Sequence, residues 1–379
     1  MQPRGRGTLI VASLLLAASC VALVLVGCSR KSDSTSSKVK IAYVSLTCEA
    51  PIFVAYENGF FKDEGIDVEL VKTDWDALRE GLGLGRWDAG HTLIMYLLKP
   101  ILEQDLDVKI TGGIHTGCLR LQVGAKSGID SIQGLKGKKI GVPTHIGCPA
   151  FLFASRVLAA HGLDPNPQKS DVTWLTFQPD LLGEAIEKGR VDAIATSDPI
   201  GTMLVGMKLV RTIADQAADA PYAEEYCCAS VVSGKLARER PEVAAKVTRA
   251  LLKASKWIEE NPTAAARLSV EKKYISASVE MNSQALAMLR YVPGVAKCRR
   301  SIDQAARDME KAGLLKPFTD PGGAAQRAWI DLDGVTDDWL SQVKVERVAG
   351  GGRPTLLDPP AFAALWRDGK FSAAGCGTN

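Results

Sequence analysis

The composition of the chain excludes several classes of protein. Its 379 residues include 46% hydrophobic and 23% charged residues, which is typical of globular proteins and not of disordered or multispanning membrane proteins. The formal net charge is only +3 at pH 7, and no basic stripe indicates a nucleic-acid-binding surface. Because single hydrophobic cores stop growing well below this length, we expect two domains.

Residues 1–28 have the pattern of an export signal. Arg4 and Arg6 precede an apolar stretch at Leu9–Leu25, and the motif Leu-Val-Gly-Cys ends at Cys28. This motif resembles a bacterial lipobox, which implies that Cys28 carries a lipid anchor. A plain signal peptide or an N-terminal transmembrane helix is the alternative, although the apolar run is short for a bilayer span of roughly 20 residues. Serine-rich residues 29–37 predict a flexible tether.

From Lys38 onward the chain has the pattern of an α/β fold. Short apolar runs typical of strands alternate with segments of helical periodicity, as in proteins with mostly parallel sheets. A first series of strands is predicted at Val39–Leu46, Ile66–Val71, Trp87–Gly90 and Val108–Gly112. A second series is predicted at Lys138–Val142, Val172–Leu175, Val191–Ala195 and Lys208–Arg211. We therefore expect two α/β lobes.

Two further apolar segments predict where the chain crosses between the lobes. Leu119–Gly124 and Ala229–Ser233 bracket the second series of strands. The predicted lobe one is discontinuous, with residues 38–118 and 232–333, and residues 119–231 form lobe two. Glycine and proline clusters predict a loop-rich C-terminal extension over residues 334–379.

Several motifs resemble one family of binding proteins. Tyr43–Asp76 contains Pro51 and then Gly59-Phe60-Phe61, and the chain continues with LKGKKIGVP at Leu135–Pro143 and GRVDAIATSDPIG at Gly189–Gly201. Over residues 39–314 these motifs resemble the solute-binding proteins of ABC transporters in the nitrate/sulfonate/bicarbonate (NitT/TauT) class. The resemblance implies a two-lobed, periplasmic-binding-protein-like type II fold that closes on a ligand in the cleft between its lobes. It also implies docking on an ABC permease with its ATPase.

The predicted ligand cleft lies at the carboxyl ends of the strands, where open α/β sheets bind their ligands near helix N-termini. Trp75 matches a tryptophan that flanks the ligand in nitrate and bicarbonate binders. The loops HTGC and THIGCP stand where those proteins have loops rich in glutamine, asparagine and lysine. The predicted ligand-binding residues are Thr47, Cys48, Glu49, Trp75, His91, His115, Cys118, Thr144, His145, Cys148, Asp198 and Cys227.

Cysteine and histidine are unusually concentrated on these predicted loops. Thiolates and imidazoles are ligands for zinc, copper, nickel, iron and iron–sulfur clusters. We therefore interpret Cys48, Cys118, Cys148, His115 and His145 as candidate ligands of a metal or of a metal-containing solute. Two alternatives remain open: disulfides between Cys48 and Cys118 or between Cys148 and Cys227, as expected in an oxidising compartment, or buried unpaired cysteines.

The sequence favours a transport receptor over an enzyme. The expected solute is a small anion or a metal-containing or thiophilic ligand, and the expected partners are a permease, an ATPase and the membrane that holds the lipid anchor. We expect a monomer on the periplasmic or extracytoplasmic face, and no P-loop or GxGxxG motif predicts an enzyme. The alternatives are an iron-using enzyme similar to the pyrimidine-synthesising proteins of thiamin metabolism, and a sensory solute-binding lipoprotein.

Overall fold

The computed structural model describes residues 38–169, 171–197, 200–318, 323–358, 360–361 and 364–365. The predicted signal peptide, Cys28 and the tether lie outside the described residues. The strands are β1 (Val39–Tyr43), β2 (Val68–Lys72), β3 (Ala89–Leu93), β4 (Val108–Thr116), β5 (Leu119–Gly124), β6 (Lys139–Pro143), β7 (Thr173–Phe177), β8 (Ala193–Ser197), β9 (Val210–Asp215) and β10 (Tyr226–Ser233).

Helices connect these strands and continue after the last one. They are α1 (Ala50–Glu57), α2 (Phe60–Asp63), α3 (Trp75–Gly83), α4 (Ile94–Glu103), α5 (Pro149–Ala160), α6 (Leu182–Glu187), α7 (Ile200–Gly206), α8 (Gly234–Glu239), α9 (Pro241–Glu260), α10 (Pro262–Glu271), α11 (Val279–Met288), α12 (Ala296–Lys311), α13 (Gly323–Ala328) and α14 (Asp337–Gln342). In the described part of the chain, none of them has both the length and the apolar character that a bilayer crossing requires.

The strands form two five-stranded sheets. The first sheet has the order β2-β1-β3-β10-β4 and the second has the order β7-β6-β8-β5-β9. In the first, β1 pairs in parallel with β2 and β3, and β10 runs antiparallel to β3 and β4. The second sheet repeats these relations, with β6 parallel to β7 and β8, and β5 antiparallel to β8 and β9. The carboxyl ends of the parallel strands therefore form one edge in each sheet.

Most predicted strands are present, but several begin later than the apolar pattern indicates. Trp87 and Val191 lie before β3 and β8. They are apolar because they pack: the Trp87 indole covers Gly81 and donates a hydrogen bond to the Ala77 carbonyl (3.0 Å), and Val191 belongs to the cluster around α6 and α7. An apolar residue can be buried without pairing in a sheet, so the apolar pattern places the starts of these strands too early.

The predicted return of the chain to the first lobe needs a correction. Residues 229–233 were expected to be the crossing, with the boundary between residues 231 and 232. The whole of β10, from Tyr226, pairs with β3 and β4 in the first sheet. The predicted segment starts three residues too late, since Tyr226, Cys227 and Cys228 are buried members of the same strand, and the boundary lies before Tyr226. At the other crossing, β5 belongs to the second sheet from Leu119.

A buried ion cluster joins elements packed on the two sheets. The Arg156 side chain on α5 is fully buried, and its guanidinium donates hydrogen bonds to both Glu225 carboxylate oxygens (2.8 and 2.9 Å) and to Asp308 on α12 (2.7 Å). Around it, one hydrophobic cluster contains residues of both sheets, such as Ile110 and Leu121. Buried charges are tolerated when they are paired and hydrogen-bonded in this way.

Candidate ligand cleft and Cys/His cluster

A cavity of about 250 Å³ lies where the carboxyl ends of the parallel strands in the two sheets approach each other. Its lining combines the loops after β1 and β6 with the carboxyl end of β8 and with residues on or next to β2, β3 and β5. Such strand ends are the usual ligand sites of open α/β sheets. Seven of the predicted ligand-binding residues line the cavity: Thr47, Cys48, Trp75, Cys118, Thr144, His145 and Cys148.

Each sheet sends an unusually shaped loop into the cavity from the strand that lies between two parallel neighbours, β1 or β6. Ser45 after β1 and Thr144 after β6 both have left-handed backbone, with φ of 71° and 61°, and both line the cavity. Residues other than glycine rarely adopt this conformation, and functional sites often retain such strain. In the second loop Gly147, at φ 100°, then allows the turn into α5.

The charged groups of the cavity lining are cationic. Lys72 and Lys273 line the cavity, and no aspartate or glutamate occurs among its described lining residues. Neither lysine forms a salt bridge with another described residue. Their positive charges are thus available to a solute in the cleft. The predicted site residue Asp198 lies outside the described residues.

Two aromatic side chains, Trp75 and Tyr96, form an aromatic wall in the same lining. Trp75 packs edge-on against Tyr96, with ring centroids 5.6 Å apart. The Tyr96 hydroxyl accepts a hydrogen bond from Arg79 (2.8 Å), which fixes the ring. Trp75 itself is placed by Asp74, whose carboxylate accepts a hydrogen bond from the Ala77 amide (2.8 Å) and caps α3. The cleft can therefore hold a solute with both an anionic and an apolar part.

Four cysteine and histidine side chains converge below the cavity. Ligand atoms of Cys48, His91, His115 and Cys228 all lie within 4.8 Å of one another. Cys48 and Cys228 also line the cavity, whereas His91 and His115 lie behind them, almost completely buried. The cluster forms where β3, β10 and β4 lie side by side and Cys228 is paired with His115.

This set differs from the predicted metal ligands. Cys48 and His115 were predicted, but Cys118, Cys148 and His145 do not belong to the four-residue group. His91 was expected only as a ligand-binding residue, and Cys228 was not among the predicted site residues. The signal for Cys228 was its position beside Cys227 on a strand, where alternate side chains face opposite sides of the sheet.

The protonation of the cluster is strongly perturbed. The Cys48 pKa falls to about 6, chiefly because Cys228 donates a hydrogen bond to its thiolate; burial opposes this shift and His115 adds to it. Burial alone would lower the His115 pKa, but the Cys48 thiolate outweighs it and raises the pKa. Burial and then the charge of His115 lower the pKa of His91. The interaction between Cys48 and His115 thus shifts this pair toward its charged form, thiolate and imidazolium.

Cys118 and Cys227 form a second thiol pair at the edge of the cluster. Their Sγ atoms are 2.9 Å apart, and both residues are free cysteines. The alternatives of a disulfide between Cys48 and Cys118 or between Cys148 and Cys227 are wrong for this structure, in which all described cysteines are free. The strand order explains why Cys118 contacts Cys227: Cys118 lies next to β4, and Cys227 lies on the neighbouring strand β10.

Cys148 and His145 line the opposite side of the cleft. Cys148 immediately precedes α5, and burial raises its pKa to about 11. The Nδ1 atom of His145 lies within hydrogen-bond distance of the Thr144 hydroxyl (3.0 Å). Cys148 therefore presents a neutral thiol to the cavity, and His145 is held by its own loop.

Glu49 supports the first loop from behind the cavity. It is completely buried, and its carboxylate accepts hydrogen bonds from the amides of Val44 (3.0 and 3.1 Å) and Leu46 (2.7 Å). Burial, with the neighbouring Cys48 thiolate, raises its pKa to about 8. The structure thus places Glu49 outside the cavity lining, as it does His91, His115 and Cys227.

Comparisons with known proteins agree with this architecture. Residues 32–271 match a family model described as the NMT1-like family. Nitrate/nitrite binding protein NrtA of Nostoc sp. is 24% identical over 251 residues, which cover 61% of this chain and 51% of that relative. The chain therefore spans about half the length of this curated relative. The 4-amino-5-hydroxymethyl-2-methylpyrimidine phosphate synthase THI13 of Saccharomyces cerevisiae is 25% identical over 286 residues, with coverage of 69% and 76%.

A solved structure shows the same fold. The periplasmic aliphatic sulphonate binding protein SsuA from Escherichia coli superposes with a TM-score of 0.62 at 18% identity, covering 77% of this chain and 97% of that protein. The predicted two-lobed, periplasmic-binding-protein-like α/β fold and the predicted resemblance to this group of solute-binding proteins are confirmed.

Proposed function

We propose that this chain, which belongs to the NMT1-like family, is the solute-binding component of an ABC importer and captures a small organic anion. The observation that carries the proposal is the charge of the cleft. Lys72 and Lys273 line it, and its described lining contains no carboxylate. A cavity of this polarity favours anions and disfavours cations through simple electrostatics.

The aromatic residues in the lining favour an anion that carries an apolar group over a bare inorganic ion. The aromatic wall of Trp75 and Tyr96 offers apolar contact area, and solute sites are commonly apolar with a few polar groups that fix orientation. Residues from both sheets line the cavity. A solute that contacts both lobes would shift the equilibrium toward a closed form, which then docks on the permease.

Calorimetric titration tests the proposal. Ethanesulfonate, nitrate, bicarbonate and ethylamine are titrated into the purified chain, and ethanesulfonate is expected to bind most tightly. The double substitution Lys72→Gln/Lys273→Gln should weaken its binding about tenfold. The matched control is Lys126→Gln, which changes an exposed lysine absent from the cavity lining. Tighter binding of ethylamine, or an equal loss in the control, would contradict the proposal.

The location and partners belong to the same proposal. An importer of this kind requires its solute-binding chain outside the cytoplasmic membrane. We propose that a lipid on Cys28 holds the chain there and that it works as a monomer with a permease and an ATPase. Labelling with a radioactive fatty acid tests the anchor: the label should follow the membrane fraction and disappear in the Cys28→Ala variant. Label retained by that variant would exclude Cys28 as the lipidated residue.

A second candidate function is favoured by the cysteine and histidine cluster. Iron-dependent pyrimidine synthesis would use soft ligands near a cleft, and the yeast relative THI13 is named a pyrimidine phosphate synthase. Incubation of the purified chain with iron and pyridoxal phosphate separates the two functions. Formation of a pyrimidine product would replace the transport proposal, whereas solute binding without turnover supports it.

A further inference from the structure

We propose that Cys48, His91, His115 and Cys228 bind one zinc ion at the floor of the cleft. The inference does not depend on which solute the cleft captures or on whether the chain works in transport. It rests on the geometry, burial and partner groups of four side chains that come from distant parts of the chain.

The geometry brings one ligand atom from each residue into a single small volume. The sulfur atoms of Cys48 and Cys228 and a ring nitrogen from each histidine all lie within 4.8 Å of one another. The ligand atoms of a tetrahedral zinc site, with metal–ligand distances of roughly 2.0–2.3 Å, are about 3.3–3.8 Å apart. The group thus needs only small side-chain adjustments to surround an ion.

The two histidines lack any other explanation for their burial. His91 and His115 are 1% and 0% exposed, and neither ring nitrogen of either residue makes a hydrogen bond of normal geometry with another described residue. Their rings lie nearly parallel, with centroids 5.5 Å apart. Buried polar atoms are almost always satisfied, so unpartnered ring nitrogens on two adjacent histidines point to a missing ligand, and a shared ion would bind one nitrogen of each ring.

The second sheet shows that the fold itself does not need these residues. His91 stands on β3 in the position that Ala195 occupies on β8: each lies just beyond an aspartate, Asp88 or Asp192, that accepts a hydrogen bond from the first strand of its sheet. Cys228 pairs with the last residue of β3, and Leu119 pairs with the last residue of β8. Apolar side chains therefore suffice at both places.

The donor set selects the ion. Two thiolates and two imidazoles form one of the usual tetrahedral zinc sites, whereas magnesium and calcium prefer oxygen ligands. Four protein ligands complete the coordination, so the ion is a resident part of the floor and leaves no open position for a reacting group. Zinc binds thiolates and neutral imidazoles, so its binding releases the thiol protons of the cluster and any second proton on a histidine ring, and no oxidation or reduction takes place.

Elemental analysis and cobalt substitution test the site. The full chain is purified without oxygen or chelator, and we expect one zinc per chain. After removal of the metal, titration with Co²⁺ should give the visible bands of a tetrahedral cobalt–thiolate complex. His91→Ala, Cys48→Ser and Cys228→Ser should each lower Co²⁺ affinity at least about tenfold. The matched control is Cys148→Ser, which removes a thiol from the same cavity but not from the cluster.

Specific results would overturn the proposal. These are a folded wild-type chain that binds neither Zn²⁺ nor Co²⁺, or wild-type affinity in the double variant His91→Ala/Cys228→Ser. Loss of metal in Cys118→Ser together with full binding in His91→Ala would equally exclude this ligand set. If the single variants do not fold, X-ray absorption at the zinc edge of the wild-type chain decides: two sulfur and two nitrogen ligands support the site, and any other count excludes it.

Discussion

In the first sheet β1 lies between two parallel neighbours and β10 runs antiparallel between β3 and β4, and in the second sheet β6 and β5 hold the equivalent places. The correspondence reaches individual hydrogen bonds. Asp88 accepts one from the Lys40 amide and Asp192 accepts one from the Lys139 amide, both at 2.8 Å. One local design, in which an aspartate fixes the start of the third parallel strand against the first, therefore occurs twice.

The chemistry of the strand ends differs between the two sheets. The first sheet brings together two thiols and two imidazoles, whereas the second contributes an isolated thiol, Cys148, and hydroxyl groups such as Thr196 to the cleft. What the sheets share is thus the framework, and what separates them is the site. Residues unique to one copy of a repeated framework are candidates for function, because the other copy folds without them.

The largest expected effect concerns the connection between the sheets. Glu225→Ala removes two hydrogen bonds from the buried Arg156 guanidinium and leaves Asp308 as the carboxylate that still pairs with it among the described residues. Breaking a buried pair in this way should lower the free energy of unfolding by about 3 kcal/mol. Urea denaturation followed by circular dichroism measures the loss.

The matched control for this change is Glu184→Gln, which breaks an exposed pair with Lys188 on the surface of α6 and should leave the urea midpoint unchanged. If Glu225→Ala were equally harmless, the ion cluster would not connect the sheets energetically. The two lobes would then fold and hold together without a contribution from these buried charges.

The second prediction asks whether the two aspartates are equivalent. Asp88→Ala removes the hydrogen bond from the Lys40 amide and also the contact with Arg240 (3.2 Å). Asp192→Ala removes the bond from the Lys139 amide. We expect losses of about 2 kcal/mol for the first and about 1 kcal/mol for the second, since each broken hydrogen bond costs roughly 1 kcal/mol. The free energy of unfolding of both variants is measured in the same urea series.

A larger loss for Asp192→Ala would contradict this order. It would mean that the second sheet depends more strongly on the shared hydrogen bond, and that the additional contact with Arg240 contributes nothing measurable to the first.

The sequence predicts the framework better than the site. Alternating apolar runs reveal the order of strands and helices. The histidines are recognisable as site candidates because each follows a predicted strand. The Cys228 position depends instead on the register of β10 against β4, which shifts on both sides of this residue. Such a register is set by packing between segments far apart in the chain, so the adjacent thiols of Cys227 and Cys228 cannot be distinguished from local sequence.

Cys148 illustrates the opposite case. Its loop and its place in the cleft follow from the strand-to-helix pattern, and it lines the cavity as predicted. Its assignment as a metal ligand depended on distant partners, and Cys148 does not belong to the four-residue group. Local patterns therefore place residues in the cleft, whereas partner choice requires the three-dimensional arrangement.

The smallest expected effect sharpens the comparison at the two strained loops. Ser45→Gly and Thr144→Gly relieve left-handed backbone at φ 71° and 61°, and each should raise the free energy of unfolding by roughly 0.5 kcal/mol, because the relief exceeds the entropy that glycine adds to the unfolded chain. Both should weaken solute binding, since a freer loop must be ordered again. The controls Ser45→Ala and Thr144→Ala remove the hydroxyl but keep the strain. If the alanine variants were more stable than the glycine variants, the left-handed conformation would carry no strain. The two loops would then share a backbone conformation but no strain energy.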